Sequence, residues 1–280
     1  MSAVSAEMVK NLRAATGAGM MECKKALVEC GGDLSQAADF LRVKSGVKAD
    51  KVAGRAAGEG RLGFAQNGNI AVLAEICCET DFVARGEAFA AFCRKTAQRL
   101  AEAPAEIIAA VSSGAQTTVL QNPNPPEECE GEKARRELVM QVGENVSFGR
   151  ARALPAKGAI AHYIHPGDKI AAVLDYSGGD ETLAREMCMH IAALRPEYAT
   201  LEDIPPDEMK KQREIFTAQA AESGKPAAIA EKIAEGRLNK YFAERVFAEQ
   251  PFVKDEDKTA GETLRAAGMT AHGFCWLAAG

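Results

Sequence analysis

Asn67-Gly68 stands between two runs of alternating apolar residues, Leu62 and Phe64 before it and Ile70, Val72, Ala74 and Ile76 after it. Period-two alternation lines one face of a strand, and Asn-Gly suits the tight reversal of a two-residue loop, so the segment reads as a β-hairpin. An all-helical fold is thereby excluded. Upstream the spacing is helical: Val4, Met8 and Leu12 form one face, and Cys23, Leu27 and Cys30 a second, closed by Gly31-Gly32. Asp33-Leu34-Ser35-Gln36 has the form of a capping box that opens a third helix through Leu34, Ala38 and Leu41, with Ser45-Gly46 as its expected end.

Downstream the same alternation of elements returns. A loop over 80–86 leads into an amphipathic helix through Phe89, Phe92, Cys93 and Leu100, with another expected near 107–111. A Pro/Glu-rich surface loop over 122–131 precedes a helix through Ala134, Leu138 and Val142. Strands are expected around 146–153, 159–165 and 169–176, the last two joined by Pro166-Gly167-Asp168. A helix through Leu183, Met187, Ile191 and Leu194 then closes at Pro196. From 207 to 244 the pattern is helical, broken only at Ser223-Gly224-Lys225-Pro226. Met209 and Phe216 on one arm, and Ile229, Ile233, Leu238 and Tyr241 on the other, suggest an αα-hairpin. A short helix from Thr259 and a strand with Phe274 and Trp276 end the chain.

Two halves therefore share one grammar of antiparallel strands plus helices, which implies an α+β fold with two similar core subdomains. The expected division is 1–54 for three helices and a basic linker, 55–153 for the first core subdomain, 154–206 with 245–280 for the second, and 207–244 for the inserted hairpin. A length of 280 residues suits such a multi-part chain.

Composition narrows the class. The chain is 47 % hydrophobic and 26 % charged, with 34 Lys+Arg against 39 Asp+Glu, which argues against wholesale disorder. The apolar run over 70–78 is cut by Glu75, so no membrane span is expected, and the first residues lack a basic n-region and an apolar core. The expected compartment is the cytosol. Eight cysteines lie on apolar faces without C-x-x-C spacing, and they read as reduced core thiols rather than disulfides or zinc ligands. Arg42, Lys44, Lys48, Lys51, Arg55 and Arg61 form a basic run with two readings, a nucleic-acid contact or a solvated linker helix; the second is favoured because no aromatic is interleaved.

Machinery for bond chemistry is not found. His162 and His165 are three apart in a strand and point to opposite faces, so they do not share an ion. Gly224-Lys225 lacks the upstream Gly and following Ser/Thr of a P-loop, and Gly17-Ala18-Gly19 lacks the third glycine of a dinucleotide fingerprint. Thr80-Asp81-Phe82-Val83 asks for an explanation. Thr80 or Asp81 can cap a following helix with a nearby apolar residue as its staple, or Phe82 can stand on a tight loop as an aromatic anchor for a partner. Met20, Met21 and Lys24 open the second helix, where apolar side chains beside a cation suit a partner's helix.

The run Thr16-Gly17-Ala18-Gly19-Met20-Met21-Glu22-Cys23-Lys24-Lys25-Ala26-Leu27, the 80–83 loop, Val142-Gly143-Glu144-Asn145 and Tyr163-Ile164-His165 together resemble elongation factor Ts. Met189-His190-Ile191-Ala192-Ala193, Ser223-Gly224-Lys225-Pro226, Ile233-Ala234-Glu235-Gly236-Arg237 and Gln250-Pro251-Phe252-Val253 extend the likeness in family order. The resemblance implies a bacterial exchange factor that promotes GDP release from elongation factor Tu. It implies a ubiquitin-associated-like N-terminal domain that docks on the GTPase, and an exchange loop of Thr80, Asp81, Phe82 and Val83 near the partner's nucleotide and magnesium site. Partner contacts at Met20, Met21, Lys24, Val142, Gly143 and His165 are also implied. The factor itself would hold no cofactor, acting on the GDP and magnesium of its partner, with no stable nucleic acid and no membrane. The hairpin implies a homodimer or a two-plus-two complex. This sequence departs from the family at the 122–131 loop and at Gly149, which interrupts an apolar strand. It also departs at the end, where the contact of a further helix is not carried over. An adaptor or RNA-binding protein using the N-terminal helices and basic run, without exchange activity, is the rival class.

Overall fold

The computed structural model of the chain describes residues 4–103, 105, 130–222 and 226–280. The expected helix near 107–111, residues 122–129 of the Pro/Glu-rich stretch, Cys129 and Ser223-Gly224-Lys225 lie outside them. The architecture is α+β, with N-terminal helices, two sheet-containing parts and helical insertions. By compactness it divides into one unit of Met1–Pro155, Pro166–Ile170 and Leu277–Gly280, and a second of Ala156–His165 and Ala171–Trp276.

The first unit opens with α1 (Ala6–Thr16), α2 (Met20–Glu29) and α3 (Leu34–Val52). Val9, Leu12, Cys23, Leu27 and Leu41 close their shared core. Asp33 caps α3 by accepting from the Gln36 N–H at 2.9 Å. Ser45-Gly46 does not end α3. Both residues are buried inside the helix, and a Cβ on Gly46 would lie 3.3 Å from the Arg136 guanidinium. Glycine there permits a close approach, and the helix continues because Ala49 and Val52 bury against Leu138.

Strands β1 (Glu59–Asn67) and β2 (Ile70–Cys78) form the expected hairpin, with Asn67 opposite Ile70. The turn residues are therefore Gly68 and Asn69, and Gly68 takes the positive φ of +57° that the first loop position of such a hairpin requires. The exit from β2 is not a loop: Asp81–Arg85 forms a one-turn helix, α4, followed by α5 (Glu87–Ala101). α5 lies on the sheet and buries Phe89, Phe92, Cys93 and Leu100. Helix α6 (Glu130–Val142) leads to β3 (Val146–Pro155), which pairs antiparallel with β2.

Gly149 does not interrupt β3. The register slips between Ala74 and Ile76, and the carboxylate of the intervening Glu75 folds over the neighbouring strand. A Cβ on Gly149 would meet Glu75 Cγ at 2.7 Å, so the glycine leaves room for that carboxylate. Five of the six cations of the basic run, all but Lys51, meet partners within the unit. Lys48 donates to the Met140 carbonyl at 3.0 Å, Arg42 pairs with Asp39, Arg55 with Glu79 and Arg61 with Asp168, and Lys44 lies over the Phe40 ring.

The second unit carries β4 (Ala159–Ile164) antiparallel to β5 (Ile170–Ser177), with β8 (Thr270–Ala278) on the other side of β5. Helix α7 (Glu181–Leu194), capped by Asp180, packs on β4. Helices α8 (Pro206–Ala221) and α9 (Ala227–Ala243) form the expected hairpin. Its seam holds Phe216 against Tyr241, and Ala220 with Ala230 and Ala234. Ile229 departs from the expected face and is exposed, because the inward row of α9 is Ala230, Ala234, Leu238 and Phe242. A two-stranded ribbon of β6 (Pro251–Phe252) and β7 (Asp255–Thr259) precedes α10 (Ala260–Ala266).

Two groups of buried residues bear on stability and reactivity. Burial pushes the Cys77 thiol up to about 11 and the Cys78 and Cys93 thiols up to about 12, which makes them unreactive near neutral pH. His190 on α7 is fully buried. Its Nδ1 accepts from the Val253 N–H at 3.4 Å, so Nε2 carries the proton and donates to Gln250 Oε1 at 3.1 Å. Burial pushes this imidazole from 6.5 down to about 4, with the Gln250 bond opposing the shift. The unfolded chain therefore binds a proton that the native chain does not, throughout the window from pH 6.5 to about 4. Stability from this group is present in full above pH 6.5 and is lost as pH falls. Urea denaturation from pH 6 to 5 should lose about 1 kcal/mol for this one group, and His190→Leu should flatten that slope; a variant with the wild-type slope would contradict the assignment.

Candidate functional site

A five-residue helix is not stable by itself, because nucleation fixes several dihedrals for one hydrogen bond. α4 persists because both of its ends are held. At the N-terminus, Thr80 accepts from the Val83 N–H at 3.4 Å. Thr80 in turn is gripped by one carboxylate: its hydroxyl donates to Glu144 Oε1 at 2.6 Å and its backbone N–H to Glu144 Oε2 at 3.0 Å. Glu144 follows Val142 and Gly143, where α6 ends with Gly143 at φ +79° and its N–H bonded to the Val139 carbonyl. Glu79 closes a second loop of contacts, accepting from the Asn145 N–H at 2.6 Å, while the Asn145 amide donates to the Ala53 and Arg55 carbonyls.

Within α4 the side chains divide. Val83 packs onto the core beneath, beside the buried Ala84. Asp81 pairs with Arg85 at 3.0 Å on the same helix, so the cap rests on Thr80 and not on Asp81. Phe82 turns outward and is 84 % exposed. A staple joins the residue before the cap to the fourth helical position, and Phe82 occupies the second, so the staple reading does not hold.

The structure thus brings Thr80, Asp81, Phe82 and Val83 together with the turn after Val142 and Gly143. Met20 (59 % exposed) and Met21 (64 %) are not core residues; with Lys24 they line a groove shared with Val4, Val9, Lys10 and Arg13 of the N-terminal helices. An apolar floor rimmed by three cations suits an amphipathic, acidic helix. His165 belongs to the second unit, exposed just beyond β4, with its Nδ1 3.0 Å from the Tyr163 hydroxyl.

Comparisons with known proteins decide the family. The family model described as Elongation factor TS matches residues 79–280, a span that includes α4, the 142–145 turn and the second unit. Elongation factor Ts of Nitrosospira multiformis is 43 % identical over 279 residues, covering 98 % of this chain and 89 % of the relative. The protein of the same name from Nitrosomonas eutropha is 44 % identical over 277 residues, with 98 % and 90 % covered. That of Thioalkalivibrio sulfidiphilus is 43 % identical over 276 residues, with 97 % and 90 % covered. The chain belongs to the elongation factor Ts family.

For an elongation factor Ts chain, the framework around Phe82 holds residues that sequence reasoning left without a role. Glu144 and Asn145 stood in a recognised motif, but their partners lie some sixty residues upstream. Arg61 was one cation in a basic run. Among the described residues no cluster of His, Cys, Asp and Glu has the makings of a metal site, and no helix is long and apolar enough to cross a membrane.

Proposed function

We propose that this chain is a guanine-nucleotide exchange factor of translation elongation, which binds elongation factor Tu in the cytoplasm and speeds release of its GDP. The observation that carries the reading is Phe82, an exposed aromatic on a one-turn helix clamped at both ends, in a chain of the elongation factor Ts family. The factor makes and breaks no covalent bond. It binds the nucleotide-free GTPase better than the loaded one, and by reciprocity the nucleotide is weakened by the same factor.

In this reading Thr80, Asp81, Phe82 and Val83 form the exchange element, with the Phe82 ring entering beside the partner's nucleotide and magnesium site. Met20, Met21 and Lys24 dock the N-terminal helices, a ubiquitin-associated-like module over 1–54, on a helix of the GTPase. Val142, Gly143 and His165 add contacts. The 55–153 subdomain presents the exchange element, the 154–206 and 245–280 subdomain holds a further domain of the partner, and the 207–244 hairpin offers a surface for a homodimer or a two-plus-two assembly.

The test is release of fluorescent GDP from purified elongation factor Tu. Acceleration that saturates with added factor is expected, together with no binding of GDP to the factor alone. An unchanged release rate would overturn the proposal.

A further inference from the structure

Arg61 occupies an unusual position on β1. Its Nη1 donates to the Ala84 carbonyl at 3.3 Å, in the last turn of α4 and two residues beyond Phe82. Its Nε and Nη2 both reach Asp168 Oδ2 at 2.7 Å. Asp168 lies in the turn that follows His165 in the chain, and Pro166–Ile170 belongs with Arg61 and α4 to the first unit. Asp168 itself adopts φ +54°, a left-handed conformation that Asp tolerates better than most residues. The turn is further fixed by the Leu62 N–H donating to the Asp168 carbonyl at 2.7 Å and by Lys169 pairing with Glu59 at 2.6 Å.

Helix carbonyls near a C-terminus lack intrahelical partners, and a guanidinium there satisfies one while complementing the helix dipole. Thr80 and Glu144 hold the front of α4; Arg61 holds the back. Only a planar fork reaches the carbonyl and the carboxylate at once, which a lysine ammonium does not. The pair is also mostly shielded from water, its side chains 22 % and 32 % exposed.

We propose that Arg61 is a positioning residue for nucleotide exchange: bridging Asp168 and the Ala84 carbonyl, it fixes the direction in which α4 presents Phe82. The inference rests on the exchange reading above. Arg61 acts through Phe82, so its loss lowers the maximal rate of GDP release more than the affinity for the partner.

The experiment measures GDP release against factor concentration for wild type, Arg61→Lys, Asp168→Asn, Phe82→Ala and the Arg61→Lys/Phe82→Ala double variant. Arg61→Lys keeps a cation opposite Asp168 and so keeps the fold, and Asn keeps the left-handed turn while removing the charge. Arg61→Lys should lower the saturating rate about fivefold or more with a half-saturating concentration within about twofold of wild type, and should add less than about twofold in the Phe82→Ala background. Asp168→Asn should show a smaller loss of the same kind. A wild-type rate for Arg61→Lys would overturn the proposal, as would a full multiplicative loss in the double variant. Failure of the wild-type chain to release GDP would instead overturn the exchange reading itself.

Discussion

Phe82→Ala should leave the melting curve nearly unchanged and lower GDP release from elongation factor Tu by ten- to a hundredfold, roughly the effect of removing a hot-spot aromatic. The ring is 84 % exposed, so truncation uncovers little apolar surface within the factor. What it removes is the surface to be buried on the partner. Burying one Phe contributes about 1.5–3 kcal/mol, and each 1.4 kcal/mol is about tenfold in an equilibrium. A larger loss would require that the ring also displaces magnesium contacts or a phosphate loop. Val139→Ala is the control. Val139 is fully buried in the core beneath α4 and lies outside the exchange element, so its truncation should lower stability while exchange per folded molecule holds. A Phe82 variant that melts early yet exchanges at the wild-type rate would reverse the assignment of anchor and support.

The elements legible in the sequence were those written by neighbours in the chain. The Asn67-Gly68 hairpin, the α5 stripe of Phe89, Phe92 and Cys93, and the Asp33 cap of α3 depend on residues a few positions apart. Long-range packing overrode local signals elsewhere. Ser45-Gly46 has the look of a helix end, yet the Arg136 side chain and the core at Val52 carry α3 past it. Gly149 has the look of a strand break, yet it is the space that Glu75 fills. The candidate site followed the same division. The 80–83 segment stood out locally, but its pattern left Phe82 open between staple and anchor, and the family resemblance chose the anchor. The supports of Phe82 did not stand out, because Thr80–Glu144 spans 64 positions and Arg61–Asp168 spans 107, and neither pairing leaves a local pattern.

Arg150→Met should cost about 3 kcal/mol of stability at neutral pH, at the low end for breaking a buried ion pair because the Arg150 side chain is itself 44 % exposed. Its partner is Glu75, whose side chain is 5 % exposed in the middle of β2. Arg150 Nε and Nη2 bond the two carboxylate oxygens at 2.7 and 2.9 Å, and the backbone N–H groups of Arg150 and Gly280 each add a bond of 3.1 Å. The same guanidinium donates to the Ala278 carbonyl, so Ala278 and Gly280, within the first unit, are fastened to the first sheet through this pair. Burial alone pushes the Glu75 carboxyl up, but the Arg150 bonds with that of Gly280 outweigh it and hold the group below its ordinary 4.5. In wild type the stability from Glu75 is therefore present above pH 4.5 and lost as pH falls through the lowered native value. Without the guanidinium, burial dominates and the native value rises above the unfolded one. The variant then regains stability as Glu75 takes up a proton, so its deficit against wild type should shrink between pH 7.5 and 4.5, and His190 cancels in that difference because both proteins carry it. Adding Glu75→Gln to Arg150→Met removes the stranded charge, and should recover part of the loss at pH 7.5. Urea denaturation of the three proteins at the two pH values decides the matter; a deficit of equal size at both would mean that Arg150 acts through packing of its stem and not through the Glu75 carboxylate.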